Sequence, residues 1–388
     1  MKLIRLTTAI SGCLLLLLAA VALAEDQADD GQSDSGDKTS QVHSSKTPDL
    51  RGSELTVKFE KGHFVAVPIP LHNPQLDWGL VLGAAYFYKQ TEEQKKAQPA
   101  SVSGIAAFYS QNGSWALGIG HESYWDEDSW RFTGALGAAD LDLTLLVPDA
   151  GSNDGIGADW LLVGEFLFAH IQRKISGRWY LGVMGRFVDF DQSLEVGLQP
   201  VNLGLNFSSE SKAVGLGISL ERDSRDMPTN PYNGSLFKVS GLFNDKSFGS
   251  DSTYESYNVA YSSYHKWSAP VVLAWQIKAC QKTGTPPLWD ACRVGLRGFS
   301  VLDYMGKESA LAQVEARWQM SKRWGAVAFA GVGYMNDSVS GVRDQEAIPS
   351  YGLGIRFMVM TAKRINLRID YGRSKDSSAW YLSALEAF

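Results

Sequence analysis

The most reactive side chains of this sequence stand together at His121, Glu122 and Ser123. Alternate residues of a β-strand project from the same face, so His121 and Ser123 would lie side by side if this stretch is a strand. A histidine beside a serine can act as the general base and the nucleophile of ester hydrolysis. No Asn or Asp can be assigned to orient the histidine, so a polar strand end is the favoured interpretation.

A second polar group is formed by Asp223, Arg225 and Asp226, in a stretch that also contains Pro231 and Gly234. Two carboxylates and an arginine could hold a metal ion or a phosphate. Proline and glycine direct turns, however, and aspartates cap them, so a long turn with internal pairing is predicted instead. The histidines do not show metal-ligand spacing. The sequence therefore predicts neither a metal nor a cofactor.

Two cysteines, Cys280 and Cys292, enclose a segment that contains two consecutive prolines. An even pair of cysteines in an exported chain indicates a disulfide, because oxidising compartments allow the bond to form and persist. On the chain-entropy estimate, closing so small a loop stabilises the fold by about 2 to 3 kcal/mol. We expect the disulfide to stiffen the segment that follows it.

The first 24 residues predict export. Lys2 and Arg5 precede an apolar run, and Ala22-Leu23-Ala24 fits the cleavage site of a signal peptide. A lipoprotein signal at Cys13 is the alternative, and it is less favoured because the apolar run continues beyond that cysteine. Residues 25–54 are acidic, rich in Ser, Asp, Gln and Lys, and without hydrophobic periodicity, so they predict a disordered linker.

The charge balance narrows the range of partners. The sequence contains 36 basic and 42 acidic residues, and removal of Lys2 and Arg5 with the signal leaves 34 basic residues and a net charge of −8. This acidic balance argues against a nucleic-acid partner.

Residues 55–388 consist of segments of about ten residues in which apolar and polar side chains alternate. The clearest is the segment 365–371, where four apolar residues share one face and three polar residues share the other. No apolar run beyond residue 24 approaches the roughly 20 residues of a membrane helix. The pattern predicts an all-β fold, a transmembrane antiparallel β-barrel in the outer membrane of a Gram-negative cell.

Counting back from the C-terminus, the segments give sixteen strands, of which the first covers residues 77–88 and the last ends at Phe388. This count makes residues 90–100 an extracellular loop and Asn112-Gly113 a short periplasmic turn, as barrels normally arrange them. The alternative count starts at residues 64–70 and makes residues 130–147 one long strand. Loop lengths favour the first count.

Three stretches resemble the BamA/TamA superfamily, the bacterial surface antigen family. Residues 223–234 are similar to its Asp-x-Arg-Asp…Pro…Gly turn on the periplasmic side, and Arg297-Gly298-Phe299 is similar to the motif of its sixth extracellular loop. The end of the chain is similar to the family's terminal strand, which closes on an aromatic residue; its matching residues are Trp380, Tyr381 and Phe388.

The resemblance implies that the loop arginine folds back into the lumen and contacts acidic or aromatic residues of the following strands. Glu315 is the best-placed partner of Arg297, because it lies on the lumen face of the next predicted strand. An arginine and a carboxylate desolvated together can form a bidentate pair. Relatives often carry Phe-x-Asp-x-Gly on the next strand, whereas this chain has the segment 329–333, Phe-Ala-Gly-Val-Gly. One acidic partner is missing there. The contact that holds Arg297 in the lumen, which we call the lock, is therefore expected to rest on Glu315.

The resemblance also implies a non-enzymatic role in organising the outer membrane, or in assembling or translocating proteins or lipids. Such action would depend on a weak seam between the first and last strands. Residues 25–54 leave no room for a POTRA domain, so a barrel-only member is expected. A passive solute pore and a lipid hydrolase that uses His121 and Ser123 are the alternatives. Expected partners are outer-membrane lipids and the machinery that inserts the barrel itself, and a homo-oligomer stays open.

Overall fold

The computed structural model describes residues 58–59, 62–147, 156–198, 203–338, 347–361, 364–375 and 377–388. The predicted signal peptide and the acidic linker, residues 1–54, lie outside these residues and remain predictions.

Sixteen long strands make up most of the described chain. They are β1 (Gly62–Asn73), β2 (Asp77–Tyr88), β3 (Val102–Ser110), β4 (Trp115–Trp125), β5 (Trp130–Val147), β6 (Ile156–Ser176), β7 (Trp179–Leu198), β8 (Leu203–Asp223), β9 (Gly234–Asn244), β10 (Tyr254–Ser268), β11 (Val271–Gly284), β12 (Met305–Gln319), β13 (Trp324–Ser338), β14 (Ile348–Met360), β15 (Ile365–Arg373) and β16 (Ser378–Ala384).

Five short elements accompany the strands in the described part of the chain. Helix α1 (Glu92–Ala97) joins β2 to β3, and two 3₁₀ turns cover Lys246–Phe248 and Leu288–Asp290. Two-residue strands lie at Lys58–Phe59 and Cys292–Arg293. A search of the described residues for a helix long and apolar enough to cross a membrane found none.

Each strand pairs antiparallel with the next one along the chain, and β16 pairs with β1. The predicted fold class is therefore confirmed: the protein is an all-β, closed barrel of sixteen antiparallel strands. Because the strand number is even, the chain enters and leaves the barrel at the same rim. The turn at residues 223–234 lies at that rim, and the segment 285–304 lies at the opposite one.

The strands form a barrel because their two faces have opposite chemistry. On β14, Leu353 and Ile355 point outward and expose 67% and 52% of their surface, whereas Arg356 points inward and exposes 3%. A water-soluble sheet would bury the apolar face and expose the charged one. The inversion fits a wall that faces lipid outside and a polar lumen inside.

The strand count predicted for the N-terminal half is wrong in two places. The first strand is β1, at residues 62–73, and residues 130–147 form the single strand β5, which pairs with β6 from Trp130–Arg173 to Val147–Ile156. Length misled the count, since β5 to β8 have 18 to 21 residues where a membrane-crossing strand needs roughly 9 to 11. The total of sixteen is unchanged.

The predicted positions of two connections, one extracellular and one periplasmic, are also reversed. With β1 counted, the connection that contains α1 lies at the rim of the chain termini, and the turn at Asn112-Gly113 lies at the opposite rim. The helix itself begins at a capping box, in which Thr91 and Gln94 bond each other's backbone N–H groups.

Candidate functional site: the luminal loop and the seam

The segment between β11 and β12, residues 285–304, folds into the barrel, and we call it the luminal loop. The predicted disulfide is present at its base, with the Cα atoms of Cys280 and Cys292 5.7 Å apart. Beyond the disulfide, apolar side chains of the loop are almost completely buried, among them Val294, Leu296 and Phe299. The loop is therefore packed inside the lumen along its length.

Arg297 lies at the centre of the loop's polar contacts. Its Nη1 donates to Asp370 Oδ2 at 2.9 Å, and its Nη2 donates to Glu315 Oε1 by a shorter contact. The guanidinium also lies 3.5 Å from the centre of the Phe329 ring. Both carboxylates are fully buried. Removing one member of a buried ion pair costs about 3–5 kcal/mol, because it leaves an uncompensated charge.

The expectation that the lock rests on Glu315 was incomplete, because Asp370 on β15 supplies a second carboxylate. The missing acidic residue of β13 has a steric reason. A Cβ at Gly331 would lie 3.0 Å from Leu296 Cδ2, and a Cβ at Gly333 would lie 2.2 Å from Val294 Cγ1. The loop occupies the space that a larger side chain would need there.

Gly298 and Phe299 join the luminal loop to the last strand. Gly298 has a φ of +113°, and a Cβ at this position would meet the backbone of Arg373. Its N–H donates to Tyr381 Oη at 2.9 Å, and the Tyr381 hydroxyl donates to the Phe299 carbonyl at 2.9 Å. Tyr381 is thus a loop contact, whereas Trp380 points outward and is 56% exposed.

Further charges surround Arg297 in what we call the Arg297 cluster. Its anions are Glu315, Asp370 and Glu386, and its cations are Arg297, Arg317, Arg356 and Arg368. The pairs beyond Arg297 are Arg317 Nε with Glu315 at 2.8 Å, Arg356 Nη1 with Asp370 at 2.5 Å, Arg356 Nε with Glu386 at 2.8 Å and Arg368 Nη1 with Asp370 at 3.1 Å.

The last four residues correct the prediction that the terminal strand ends in Phe388. Strand β16 ends at Ala384, and Leu385 has a left-handed φ of +66° that turns the chain inward. Glu386 then bonds Arg356 at 2.8 Å, and the Phe388 ring lies 5.3 Å from the Arg317 guanidinium. Beyond the end of the strand, the Arg356 guanidinium thus holds the carboxylate of Glu386 inside the lumen.

The seam between β16 and β1 is thinly paired. Leu382–His72 is the single ladder pair recorded between them among the described residues, whereas β1 pairs with β2 along its whole length. In the same register, Ala384, Glu386 and Phe388 would lie opposite Pro70, Pro68 and Ala66 of β1. Prolines lack the N–H of a ladder and are tolerated at sheet edges. Sequence and structure thus both leave this edge of β1 open.

The predicted turn motif at residues 223–234 is held by internal contacts. Arg225 and Asp223 form a bidentate pair with distances of 3.0 and 2.7 Å. Asp226 Oδ1 accepts from the backbone of Tyr232 at 2.9 Å. Pro231 is buried, and Gly234 has a φ of +101°. The geometry is that of a capped turn.

One contact of this turn was not foreseen from the sequence. Arg364, in the turn between β14 and β15, donates to Asp226 Oδ2 at 2.8 Å and stacks 3.8 Å from the centre of the Tyr232 ring. Burial opposes ionisation of Asp226, but hydrogen bonds from Arg364 and from the turn backbone hold its pKa below the ordinary value. The pair crosses the barrel mouth, so alternation within a strand could not have indicated it.

A second anchor of the loop was also missed, and we call it the Asp290 cluster. Asp290 Oδ2 accepts from Arg186 Nη2 at 2.8 Å and from Tyr254 Oη at 2.7 Å, and Oδ1 accepts from Lys282 Nζ at 3.0 Å. Burial opposes ionisation, but Arg186 and Lys282 outweigh it and hold the pKa of Asp290 well below the ordinary range. An aspartate inside a turn carried no periodic signal.

His121 and Ser123 are not joined as the hydrolase alternative requires. His121 Nδ1 lies 2.8 Å from Ser103 Oγ on the neighbouring strand, and within the described part of the chain no hydrogen bond connects His121 to Ser123. Nor do the described residues contain a group of three or more His, Cys, Asp or Glu side chains that could hold a metal ion.

A closed sixteen-strand wall, apolar outside and charged inside, with an arginine-bearing loop locked in its lumen, defines an integral outer-membrane β-barrel. Residues 122–378 match the Omp85 superfamily domain, and the chain belongs to that superfamily. Omp85 proteins, which include the BamA, TamA and TpsB relatives, are generally non-enzymatic and act in protein insertion or translocation.

Solved structures with the same fold have very different sequences. BamA from Haemophilus ducreyi lacking POTRA domains 1–3 is 12% identical with a TM-score of 0.57, and the match covers 84% of this chain and 70% of that one. CdiB from Acinetobacter baumannii is 11% identical, with a TM-score of 0.53 and coverages of 84% and 60%. CdiB from Escherichia coli is 10% identical, with a TM-score of 0.53 and coverages of 79% and 59%.

These likenesses show the fold alone. The chain spans about three fifths of the length of either CdiB chain. A comparison with curated proteins found no match.

Proposed function

We propose that this barrel assists the insertion or translocation of other polypeptides at the outer membrane through the seam between β1 and β16. The observation that carries the proposal is the single ladder pair, Leu382–His72, that joins the two strands. A strand edge in hydrocarbon is costly, because its backbone groups find no water to bond. An incoming strand can satisfy that edge by pairing with it.

One feature of the sequence and one of the structure keep the seam open. Pro68 and Pro70 remove N–H donors from β1, and the turn at Leu385 takes the end of the chain into the lumen. Each missing ladder bond forgoes roughly 0.5–1.5 kcal/mol. The seam is therefore the weakest of the described strand interfaces and the place where the wall opens at the lowest cost.

The Arg297 cluster supports this role by holding the neighbouring wall. It joins the luminal loop to β12 through Glu315 and to β15 through Asp370, and the adjacent Gly298 joins the loop to β16 through Tyr381. Opening is thereby confined to the edge of β16 that faces β1.

A passive solute pore fits the lumen less well. Trp289 of the loop is fully buried and packs 5.6 Å from the ring centre of Phe190 on β7. Together with Leu302 and Met305 it belongs to an apolar cluster that extends across the strands β5 to β8. We expect planar-bilayer recordings without a stable open conductance.

Closing the seam covalently tests the proposal. In the double variant His72→Cys/Leu382→Cys the new cysteines lie opposite each other, so oxidation should join β1 to β16. We expect the oxidised barrel in liposomes to lose its acceleration of the folding of another outer-membrane barrel. The same protein alkylated before oxidation should keep that acceleration.

Leu353→Cys/Tyr371→Cys is the matched control, since these residues pair on the outer face of β14 and β15 away from the seam. Its oxidation should leave the folding rate of the client unchanged. Full acceleration by the seam-crosslinked barrel would contradict the proposal.

A further inference from the structure

The edge of β1 that faces the seam has a short companion strand. Gly62 and His63 pair with β2 along one edge of β1. The same two residues also form the antiparallel pairs Phe59–Gly62 and Lys58–His63. A strand has two edges, so Lys58–Phe59 lies on the edge away from β2. This is the edge that faces β16, and we call it the seam edge.

The prolines of β1 indicate which backbone groups point to the seam edge. In antiparallel strands the N–H and C=O groups of successive residues point alternately to the two neighbours. The ladder to β2 runs along all of β1, and a proline cannot donate to a ladder, so Pro68 and Pro70 are positions that point to the seam edge. Gly62, Phe64 and Ala66 have the same parity. The seam edge therefore offers three N–H donors near the start of β1 and none at the two prolines.

Strand β16 does not reach these three donors. It ends at Ala384, which lies opposite Pro70 in the register of the Leu382–His72 pair. Leu385 then turns the chain into the lumen. The donors belong to a wall that faces hydrocarbon, where an unpaired N–H finds no water to bond. The seam edge therefore needs an occupant whenever a client strand is absent.

The residues before β1 have the pattern of a further barrel strand. In residues 55–59, Leu-Thr-Val-Lys-Phe, apolar and polar side chains alternate, as they do where one face of a strand meets lipid and the other the lumen. Directly opposite residues share a face, and Phe64 faces outward with 39% of its surface exposed. Continued in the register of the described pairs, the apolar residues meet the three donors in the pairs Phe59–Gly62, Val57–Phe64 and Leu55–Ala66.

We propose that residues 55–59 form a displaceable strand on the seam edge of β1, which covers the three donors until a client strand replaces it. The inference rests on the proposed function of the seam. Residues 60–61 alone join the segment to β1, and so short a link gives the segment a high effective concentration at the edge. A strand of five residues forms few ladder bonds, however, so a longer client strand can compete with it. The polar residues 51–54, Arg-Gly-Ser-Glu, suit a chain that leaves the lipid-facing wall for the lumen.

Cross-linking of the barrel in liposomes tests the register. Thr56→Cys/Val65→Cys places two cysteines directly opposite each other, with Cα atoms about 4.5 Å apart as in a non-hydrogen-bonded pair, which a disulfide can span. Val57→Cys/Val65→Cys is the matched control, because its cysteines would face opposite sides of the wall. After oxidation we expect mass spectrometry to find the cross-linked peptide in the first variant and not in the second. The cross-linked barrel should lose its acceleration of client folding, and the same variant alkylated before oxidation should keep it.

Proline substitutions test the displacement. The N–H of Val57 would point to β1, so Val57→Pro removes a ladder bond. It should raise the rate of client folding roughly two- to tenfold, the factor that one hydrogen bond is worth. Thr56→Pro is the matched control and should leave the rate unchanged, since the N–H of Thr56 would point away from β1. The folded state of each variant is checked by its mobility on unheated gels.

Two outcomes would overturn the inference. Cross-linking that does not distinguish the two cysteine pairs would exclude the register, and equal acceleration of client folding by Val57→Pro and Thr56→Pro would exclude a displaceable strand. Cross-linking of the in-register pair alone, with no acceleration of client folding by the wild type or any variant, would uphold the pairing and overturn the proposed function of the seam instead.

Discussion

The luminal loop is held at two places with opposite polarity. In the Asp290 cluster the loop supplies a carboxylate and the strands supply Arg186 and Lys282. In the Arg297 cluster the loop supplies a guanidinium and the strands supply Glu315 and Asp370. Exchanging the two ends of the loop would place like charges together. The polarity therefore fixes the direction in which the loop crosses the lumen, in addition to stabilising it.

The two clusters also differ in what they are connected to. Asp290 binds the strands β7, β10 and β11, on the far side of the loop from the seam. Arg297 belongs to a network that reaches β16 through the Arg368–Ser383 bond and the inward-turned Glu386 through Arg356. We therefore expect the Asp290 cluster to act as an anchor alone and the Arg297 cluster to affect the seam as well.

The largest effect is expected from Arg297→Ala. The substitution leaves Glu315 and Asp370 buried with one cation fewer and removes the packing on Phe329, so a loss of about 3–5 kcal/mol in the free energy of unfolding is expected. Urea titration in lipid vesicles and band mobility on unheated gels measure it. Seam-dependent acceleration of client folding should fall as well.

Arg323→Ala is the matched control for the loss of an arginine. Arg323 is exposed at the turn before β13, and its contacts are bonds of 3.4–3.5 Å to backbone carbonyls. Its removal should change the unfolding free energy by less than about 0.5 kcal/mol. An Arg297→Ala barrel as stable and as active as this control would show that the Arg297 cluster does not lock the loop in place.

Asp290→Asn is expected to have the next largest effect. Asparagine keeps the shape and some hydrogen bonds but leaves Arg186 and Lys282 without a buried anion, so a loss of about 3 kcal/mol is expected. Per folded molecule, client folding should stay at the wild-type rate, which distinguishes the two clusters. An equal loss of activity in both variants would show that the clusters act as one unit.

The low pKa of Asp290 also sets the acid response of this anchor. Because the folded-state pKa is depressed, the stabilisation is complete above the unfolded value of about 3.9 and is lost as pH falls toward the folded value. The stability gap between wild type and Asp290→Asn should be constant from pH 7 to about pH 5 and narrow below about pH 4. A gap that already closes near pH 6 would contradict a paired, ionised Asp290.

The alternation of apolar and polar residues predicted the strands of the barrel wall, but it did not predict the contacts made across the lumen. The segment 365–371 indicated from its own spacing which side chains face inward, and it placed Asp370 on the polar face. That Asp370 meets Arg297 depends on strand stagger and on the path of the loop around the closed barrel. No spacing within one strand contains that information.

The errors at the C-terminal strand and at His121 have a similar cause. Residues 379–388 were predicted as one strand, but Leu385 adopts a left-handed φ and Glu386 bonds Arg356 inside the lumen. His121 was noted for its spacing to Ser123 along one strand, whereas its partner, Ser103, is its neighbour across the sheet. Contacts between neighbouring strands could not be predicted, because the sequence alone does not give the register in which the strands pair.

The smallest effect is expected from Arg364→Ala. This variant tests whether burial explains the large contribution of the two clusters to the free energy of unfolding. The Arg364–Asp226 pair has a good distance of 2.8 Å, but its side chains are 25% and 32% exposed. Water screens such a pair, so the loss should be about 0.2–1 kcal/mol in urea titrations. Because the pKa of Asp226 is lowered, this contribution should persist above about pH 4 and disappear in more acidic solution. A loss as large as that of Arg297→Ala would mean that the rim pair, and not the buried loop, holds the barrel together.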